Sequence, residues 1–158
     1  MLVAVLTISD TVASGEREDA SGPAVVAACR GLGWEVTTSL RVSDDPAAIR
    51  EQLRTIADSG RVNLILTTGG TGVSPRDNTP ESTTAVADKL IPGLAEEMRR
   101  KGLATAPTAV LSRAVAATRG KTLIINLPGS PKGATESLDA IAHLLAHAIK
   151  VLGGARHD

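Results

Sequence analysis

Gly69-Gly70-Thr71-Gly72 follows directly on an apolar run. Glycines carry no Cβ, so such a loop lets backbone N–H groups approach an anion closely. A plain tight turn is the alternative. Asp44 and Asp77 each stand just after an apolar run. Two carboxylates beside a phosphate-binding loop suit a Mg²⁺ ion that bridges phosphate oxygens. Each has a structural reading too. Asp44-Asp45 precedes Pro46 and could cap a helix, which accounts for Asp45 but leaves Asp44 unexplained. Asp77, two residues before Thr79, could be only a turn residue. The two common phosphate motifs fit poorly. A Walker loop needs Gly-Lys-Ser/Thr at its end, and this loop has Gly72-Val73-Ser74. A Rossmann fingerprint needs a third glycine where Pro75 stands, and follows the first strand rather than the third.

These residues need elements to bring them together. Short apolar runs at 2–8, 36–42, 62–68 and 123–127 read as strands of a sheet covered on both faces. Helical patterns lie between them. One spans 24–32 and is stopped by Gly33; one starts at Pro46 behind the Asp45 cap and closes at Gly60. A third begins at Thr79-Pro80-Glu81, with Thr79 as the expected cap. A fourth covers 93–101, and the last runs from about 133 to 152. Alternation of strand and helix predicts an α/β fold: three layers, α/β/α, with a mostly parallel central sheet. Residues 92–122 read as a small helical excursion from it. In such sheets ligands bind at the carboxyl ends of the strands. That edge collects Ser9-Asp10-Thr11, Ser43-Asp44-Asp45, the 69–72 loop with Asp77, and Pro128-Gly129-Ser130-Pro131-Lys132.

Six segments in order resemble one known family. They are Thr7-Ile8-Ser9-Asp10, Thr68-Gly69-Gly70-Thr71-Gly72, Pro75-Arg76-Asp77-Asn78-Thr79-Pro80-Glu81, Pro92-Gly93, Leu111-Ser112-Arg113 and Asn126-Leu127-Pro128-Gly129-Ser130-Pro131-Lys132. Together they resemble the molybdopterin-binding (MogA/MoaB) family, over a single domain of residues 1–152 with a flexible tail at 153–158. The resemblance implies adenylylation of molybdopterin: ATP and molybdopterin give molybdopterin-AMP and pyrophosphate, with Mg²⁺. It makes Asp44 and Asp77 the catalytic and Mg²⁺-binding pair. It places Ser9, Asp10 and Thr68 at the ligand site, gives molybdopterin to Gly69, Gly70, Thr71 and Gly72, and lines the pocket with Ser112 and Arg113. Pro128, Gly129, Ser130 and Lys132 form its last wall. Arg113 and Lys132 are expected to add positive potential, Glu97 to face the pocket, and Arg76 to be structural. The resemblance also implies a homotrimer, which would cover Leu144 and Ala148 on the far face of the last helix. Two alternatives stand beside this reading: a molybdopterin carrier without catalysis, and a phosphate-binding α/β enzyme acting on another nucleotide.

Composition narrows the partners. The 158 residues carry 17 Lys+Arg against 17 Asp+Glu, so the net charge is zero, and the basic surplus of a nucleic-acid binder is missing. Trp34 is the only Phe, Tyr or Trp, which leaves almost nothing for base stacking. A single cysteine excludes an internal disulfide and fits a cytoplasmic setting. No apolar run approaches the ~20 residues of a membrane span. Cys29 falls on the Val25/Leu32 stripe and reads as a buried, inert thiol. His143 and His147 point away from the apolar stripe of their helix and lack a third ligand, so they read as solvated.

Overall fold

The computed structural model describes residues 1–156. Six strands form one sheet: β1 (Leu2–Ile8), β2 (Glu35–Val42), β3 (Leu64–Thr68), β4 (Lys89–Leu90), β5 (Ala116–Arg119) and β6 (Thr122–Leu127). Their spatial order is β2-β1-β3-β6-β5-β4. β1 runs parallel to β2 and β3, and β3 parallel to β6. β5 is antiparallel to both β6 and β4. The helices are α1 (Asp10–Ala13), α2 (Ser21–Gly31), α3 (Pro46–Asp58), α4 (Thr79–Val86), α5 (Pro92–Gly102) and α6 (Pro131–Leu152), with a 3₁₀ turn at Pro107–Leu111.

Strand alternation divides the core in two. Val3, Val5, Leu64, Leu66, Leu123 and Ile125 pack with α2, α5 and α6 through Val25, Met98, Leu138 and Ile141. Ala4, Leu6, Ile8, Ile65 and Ile124 pack with α3 and α4 through Ile49, Leu53 and Val86. Both clusters bury strand residues, so the central strands are apolar on both faces and the three-layer α/β reading holds. β2 departs from it. It is an edge strand, mostly exposed along its length, and its register with β1 shifts between Val3 and Ala4, an irregularity of the bulge type. Trp34 packs against the first cluster, as does Ala148, so Ala148 does not lie on an outer face as expected. Leu144 is exposed. Among the described residues, no helix is long and apolar enough to cross a membrane.

Local signals set most boundaries. Asp45 caps α3, its Oδ2 accepting from the Ala48 N–H at 3.1 Å, with Pro46 at the first helical position. Ser130 caps α6 in the same way, through the Gly133 N–H at 3.0 Å, so this helix starts at Pro131. Thr79 is not the cap expected of it: it lies inside α4, Asn78 occupies the cap position, and the Thr79 hydroxyl turns elsewhere. The excursion is also shorter than 92–122. β5 rejoins the sheet at Ala116, leaving α5 and the 3₁₀ turn outside it. The chain contains one Gly-Lys-Thr, Gly120-Lys121-Thr122, and its setting excludes a Walker loop there. These residues connect antiparallel strands, where a Walker loop joins a strand to a helix, and Val115 stands where its first glycine would be. Of the tail, Ala155 N–H bonds back to the Lys150 carbonyl at 3.2 Å; residues 157 and 158 lie outside the described residues.

Register places the site. Thr7 pairs with Thr68, and Thr68 with Leu127. Ser9, Gly69 and Pro128 therefore leave three adjacent strands side by side. From β1 the chain goes to β2 on one side, then returns to β3 on the other. Such a reversal is where open α/β sheets bind ligands.

Candidate active site

The loop after β3 lies so close to its supports, and so far into positive φ, that Gly69 and Gly70 have no room for a Cβ. Gly69 has φ +103°, and a Cβ there would come 2.3 Å from the Ile8 carbonyl oxygen. Gly70 has φ +67°, and a Cβ there would meet Thr79 Oγ1 at 2.3 Å. Thr79 is fully buried and donates this hydroxyl to the Gly69 carbonyl at 2.9 Å. Thr68 Oγ1 donates to the Pro128 carbonyl at 2.6 Å, tying the loop to the 128–130 wall. Among the described residues, none accepts from the backbone N–H of Gly70, Thr71 or Gly72. Successive free amides of this kind form an anion-binding concavity.

Asp44 is fixed by a reciprocal clasp. The Asp10 N–H donates to Asp44 Oδ2 and the Asp44 N–H to Asp10 Oδ1, both at 2.9 Å. Arg76 closes the clasp with two 3.0 Å bonds from Nε and Nη2 to the Asp10 carboxylate. The Asp44 N–H holds the Asp10 carboxyl below its ordinary range, with Arg76 adding to the effect. Burial pushes the Asp44 carboxyl up, against the Asp10 N–H and the Arg76 charge. Asp77 accepts the Ser74 N–H at 2.9 Å through Oδ2. That oxygen lies 2.8 Å from where a Gly72 Cβ would stand, so the loop fits around it.

Two cavities meet at this loop. The first, about 520 Å³, takes in Ser9, Asp44, Asp77, Gly69, Gly70, Gly129 and Ser130. The second, about 360 Å³, lies between α5, the 3₁₀ turn and the start of α6. Gly72, Met98, Leu111, Ser112, Pro128 and Ser130 are among its walls. Ser130 belongs to both. Most of the residues expected at the site gather here, but Asp10, Thr68 and Thr71 line neither cavity: Asp10 clasps Asp44, Thr68 is buried and tied to Pro128, and Thr71 is buried with its carbonyl accepting from the Arg113 N–H. Three further residues differ in role. Arg113 Nε and Nη2 donate to the Gly72 and Asp77 carbonyls at 2.7 and 2.8 Å, and Nη1 pairs with Glu81. Its guanidinium braces the loop, and it holds the Glu81 carboxyl below the usual range. Lys132 lies on the exposed side of α6, 3.9 Å from Glu136, and lines neither cavity. Glu97 also lines neither, being paired with Arg100 at 2.8 Å.

Comparison with known proteins places the chain in a family. The family described as "Probable molybdopterin binding domain" matches residues 4–147. The chain belongs to the molybdopterin-binding domain family. Its relatives include the molybdopterin adenylyltransferase of Escherichia coli (strain K12), 40% identical over 93% of this chain and 78% of that protein. The Helicobacter pylori (strain J99) protein of the same name is 38% identical over 96% and 88%. Among solved structures, the molybdopterin biosynthesis enzyme MoaB from Thermus thermophilus superposes with a TM-score of 0.91 at 48% identity, over 99% of both chains.

This molybdopterin-binding domain fits a hard cation only jointly with a ligand. Among the described residues, no three His, Cys, Asp or Glu side chains are placed to hold a metal by themselves. Asp44 and Asp77 do line one cavity. Mg²⁺ is commonly held by one or two carboxylates together with substrate phosphates. Arg76, expected to be structural, acts on Asp44 through Asp10 across a separation of 66 residues. Sequence reading missed two of the domain's residues. Arg99 Nη1 fixes the Ser112 and Ala114 carbonyls at 3.2 and 3.0 Å. Arg17 lines the first cavity. No spacing signal points to any of them.

Proposed function

We propose that the chain is a molybdopterin adenylyltransferase of molybdenum cofactor biosynthesis. It would use ATP and Mg²⁺ to give molybdopterin-AMP and pyrophosphate. The observation that carries this reading is the wall shared by the two cavities. Two substrates can occupy separate pockets and still meet at Ser130 and the glycine loop. The acidic cavity takes the nucleotide, and the cavity beside Ser112 takes molybdopterin. Bound Mg²⁺, held by Asp44, Asp77 and phosphate oxygens, would supply charge neutralisation.

The residues then have simple tasks. A phosphate monoester is already nucleophilic at neutral pH, so no Ser-His or Cys-His pair is needed. Its oxygen attacks the α-phosphorus of ATP, and the bond from that phosphorus to pyrophosphate breaks. The N–H groups of Gly70, Thr71 and Gly72 orient phosphate oxygens and stabilise their charge. Thr79, Thr68 and Arg113 keep those groups in place before substrate arrives, so positioning and electrostatics supply the catalysis.

A homotrimer working in the cytoplasm completes the proposal. It is supported by the exposed Val73, Val110, Leu111 and Leu144, and a clean monomer in sedimentation would refute the trimer. The deciding assay incubates the chain with molybdopterin, ATP and Mg²⁺ and follows pyrophosphate. Release that depends on molybdopterin is expected. Molybdopterin binding without release would make the chain a carrier instead.

A further inference from the structure

The nucleotide cavity is rich in carboxylates. Glu18, Asp19, Asp44 and Asp77 line it, and Arg17 is the one lysine, arginine or histidine among the described residues that does. The nearby cations are committed elsewhere: Arg76 to Asp10, Arg113 to the loop carbonyls and Glu81. Arg17 is not. Though Glu16 and Glu18 flank it in sequence, no carboxylate among the described residues forms an ion pair with it. Its guanidinium makes one long hydrogen bond, Nη2 to Ser9 Oγ at 3.4 Å.

Its placement is built rather than accidental. The Arg17 N–H donates to the Thr11 carbonyl at 3.0 Å, which tethers the turn that follows α1. Ser9 follows Ile8, and the Ile8 carbonyl abuts Gly69. Arg17 thus shares the first cavity with Gly69 and Gly70 and does not line the second. The reacting α-phosphorus must lie at the wall common to both cavities. A cation confined to the first cavity therefore meets the part of the nucleotide that leaves. A guanidinium offers paired donors that match phosphate oxygens.

Resting on the nucleotide reading of this cavity, we infer that Arg17 grips the β- and γ-phosphates of ATP and stays with pyrophosphate as it departs. The test is equilibrium binding of ATP, AMP, pyrophosphate and molybdopterin to the full chain with Mg²⁺, for the parent, Arg17→Ala and Arg17→Lys. Arg17→Ala should bind ATP and pyrophosphate about 10- to 100-fold more weakly. AMP and molybdopterin binding should be unchanged, and the KM for ATP should rise. Arg17→Lys should recover part of the loss, keeping the charge but not the fork. Arg17 is exposed, so all three proteins should melt together.

Pyrophosphate affinity unchanged in Arg17→Ala would overturn the inference. So would equal losses for AMP and pyrophosphate. If the parent releases pyrophosphate while either result holds, the proposed function stands and only the role of Arg17 falls. If the parent binds neither ATP nor pyrophosphate, the nucleotide reading falls and the inference with it.

Discussion

Replacing Gly69 with alanine tests what holds the loop. The new Cβ would stand 2.3 Å from the Ile8 carbonyl oxygen, closer than real Cβ contacts come. That oxygen has little room to retreat, because Ile8 is paired with Val42 of β2 and the preceding Thr7 with both Arg41 of β2 and Thr68 of β3. A non-glycine residue at φ +103° costs about 1–3 kcal/mol. Relieving the overlap costs about 1–3 kcal/mol more. Restricting the unfolded chain returns about 0.4–1 kcal/mol. The net loss is about 3 kcal/mol, a large share of the ~5–15 kcal/mol that holds a domain folded. At ~2–4 °C per kcal/mol, the Tm should fall by roughly 6–12 °C. Gly15→Ala is the control: φ is +83°, but nothing lies within 4 Å of its Cβ. It should cost only the backbone part, about 1–2 kcal/mol. Thermal unfolding followed by circular dichroism compares the two. If both variants melt at the same temperature, contact with β1 is not what demands glycine at 69.

Three further outcomes are expected. Asp77→Asn and Asp44→Asn should each lower molybdopterin-dependent pyrophosphate release about 10²–10³-fold. Molybdopterin binding should survive, and Asp45→Asn, a pure cap change, should do nothing; wild-type turnover in the first two would remove these aspartates from the chemistry. Thr79→Val, which deletes the buried bond to the Gly69 carbonyl, should destabilise by about 1–3 kcal/mol in urea unfolding, and no change would show that the loop is held without it. Burial raises the Cys29 thiol from 9.0 to about 11, so the native protein should resist thiol reagents at pH 8. Because the folded pKa is raised, the stabilisation is complete below about pH 9 and declines as pH rises toward 11. A Cys29→Ala variant with the same alkaline decline would sink that account.

The central strands were legible because they are apolar on both faces, a pattern that only a covered sheet needs. Asp45 and Pro46 announced α3 for a chemical reason that stayed true in three dimensions. β4 and β5 were not legible. They hold two and four residues, and Ala116-Ala117 carries no strand preference of its own; pairing with β6 makes them strands. Thr79 looked like a cap because caps and buried loop ties use the same hydroxyl. The gathering of Asp44, Asp77 and the 69–72 loop followed from strand ends, which sequence gives. The task of a cation did not. Arg113 and Arg17 carry the same charge, and only the folded positions of the Gly72 and Asp77 carbonyls and of Glu81 make the first a brace while the second forms no ion pair among the described residues.

β2 leaves the sheet with one long open margin, since β4 at the opposite margin has only two residues. An unpaired strand edge is a template for another chain, and growth along it ends in fibres. Here that risk is met within the strand itself. Glu35 and Arg41 stand exposed near its two ends, Thr37 and Ser39 are polar between them, and the irregular step against Val3 and Ala4 disturbs the flat geometry that a further strand would need. The residues that make β2 look like a weak strand are those that keep the sheet finite.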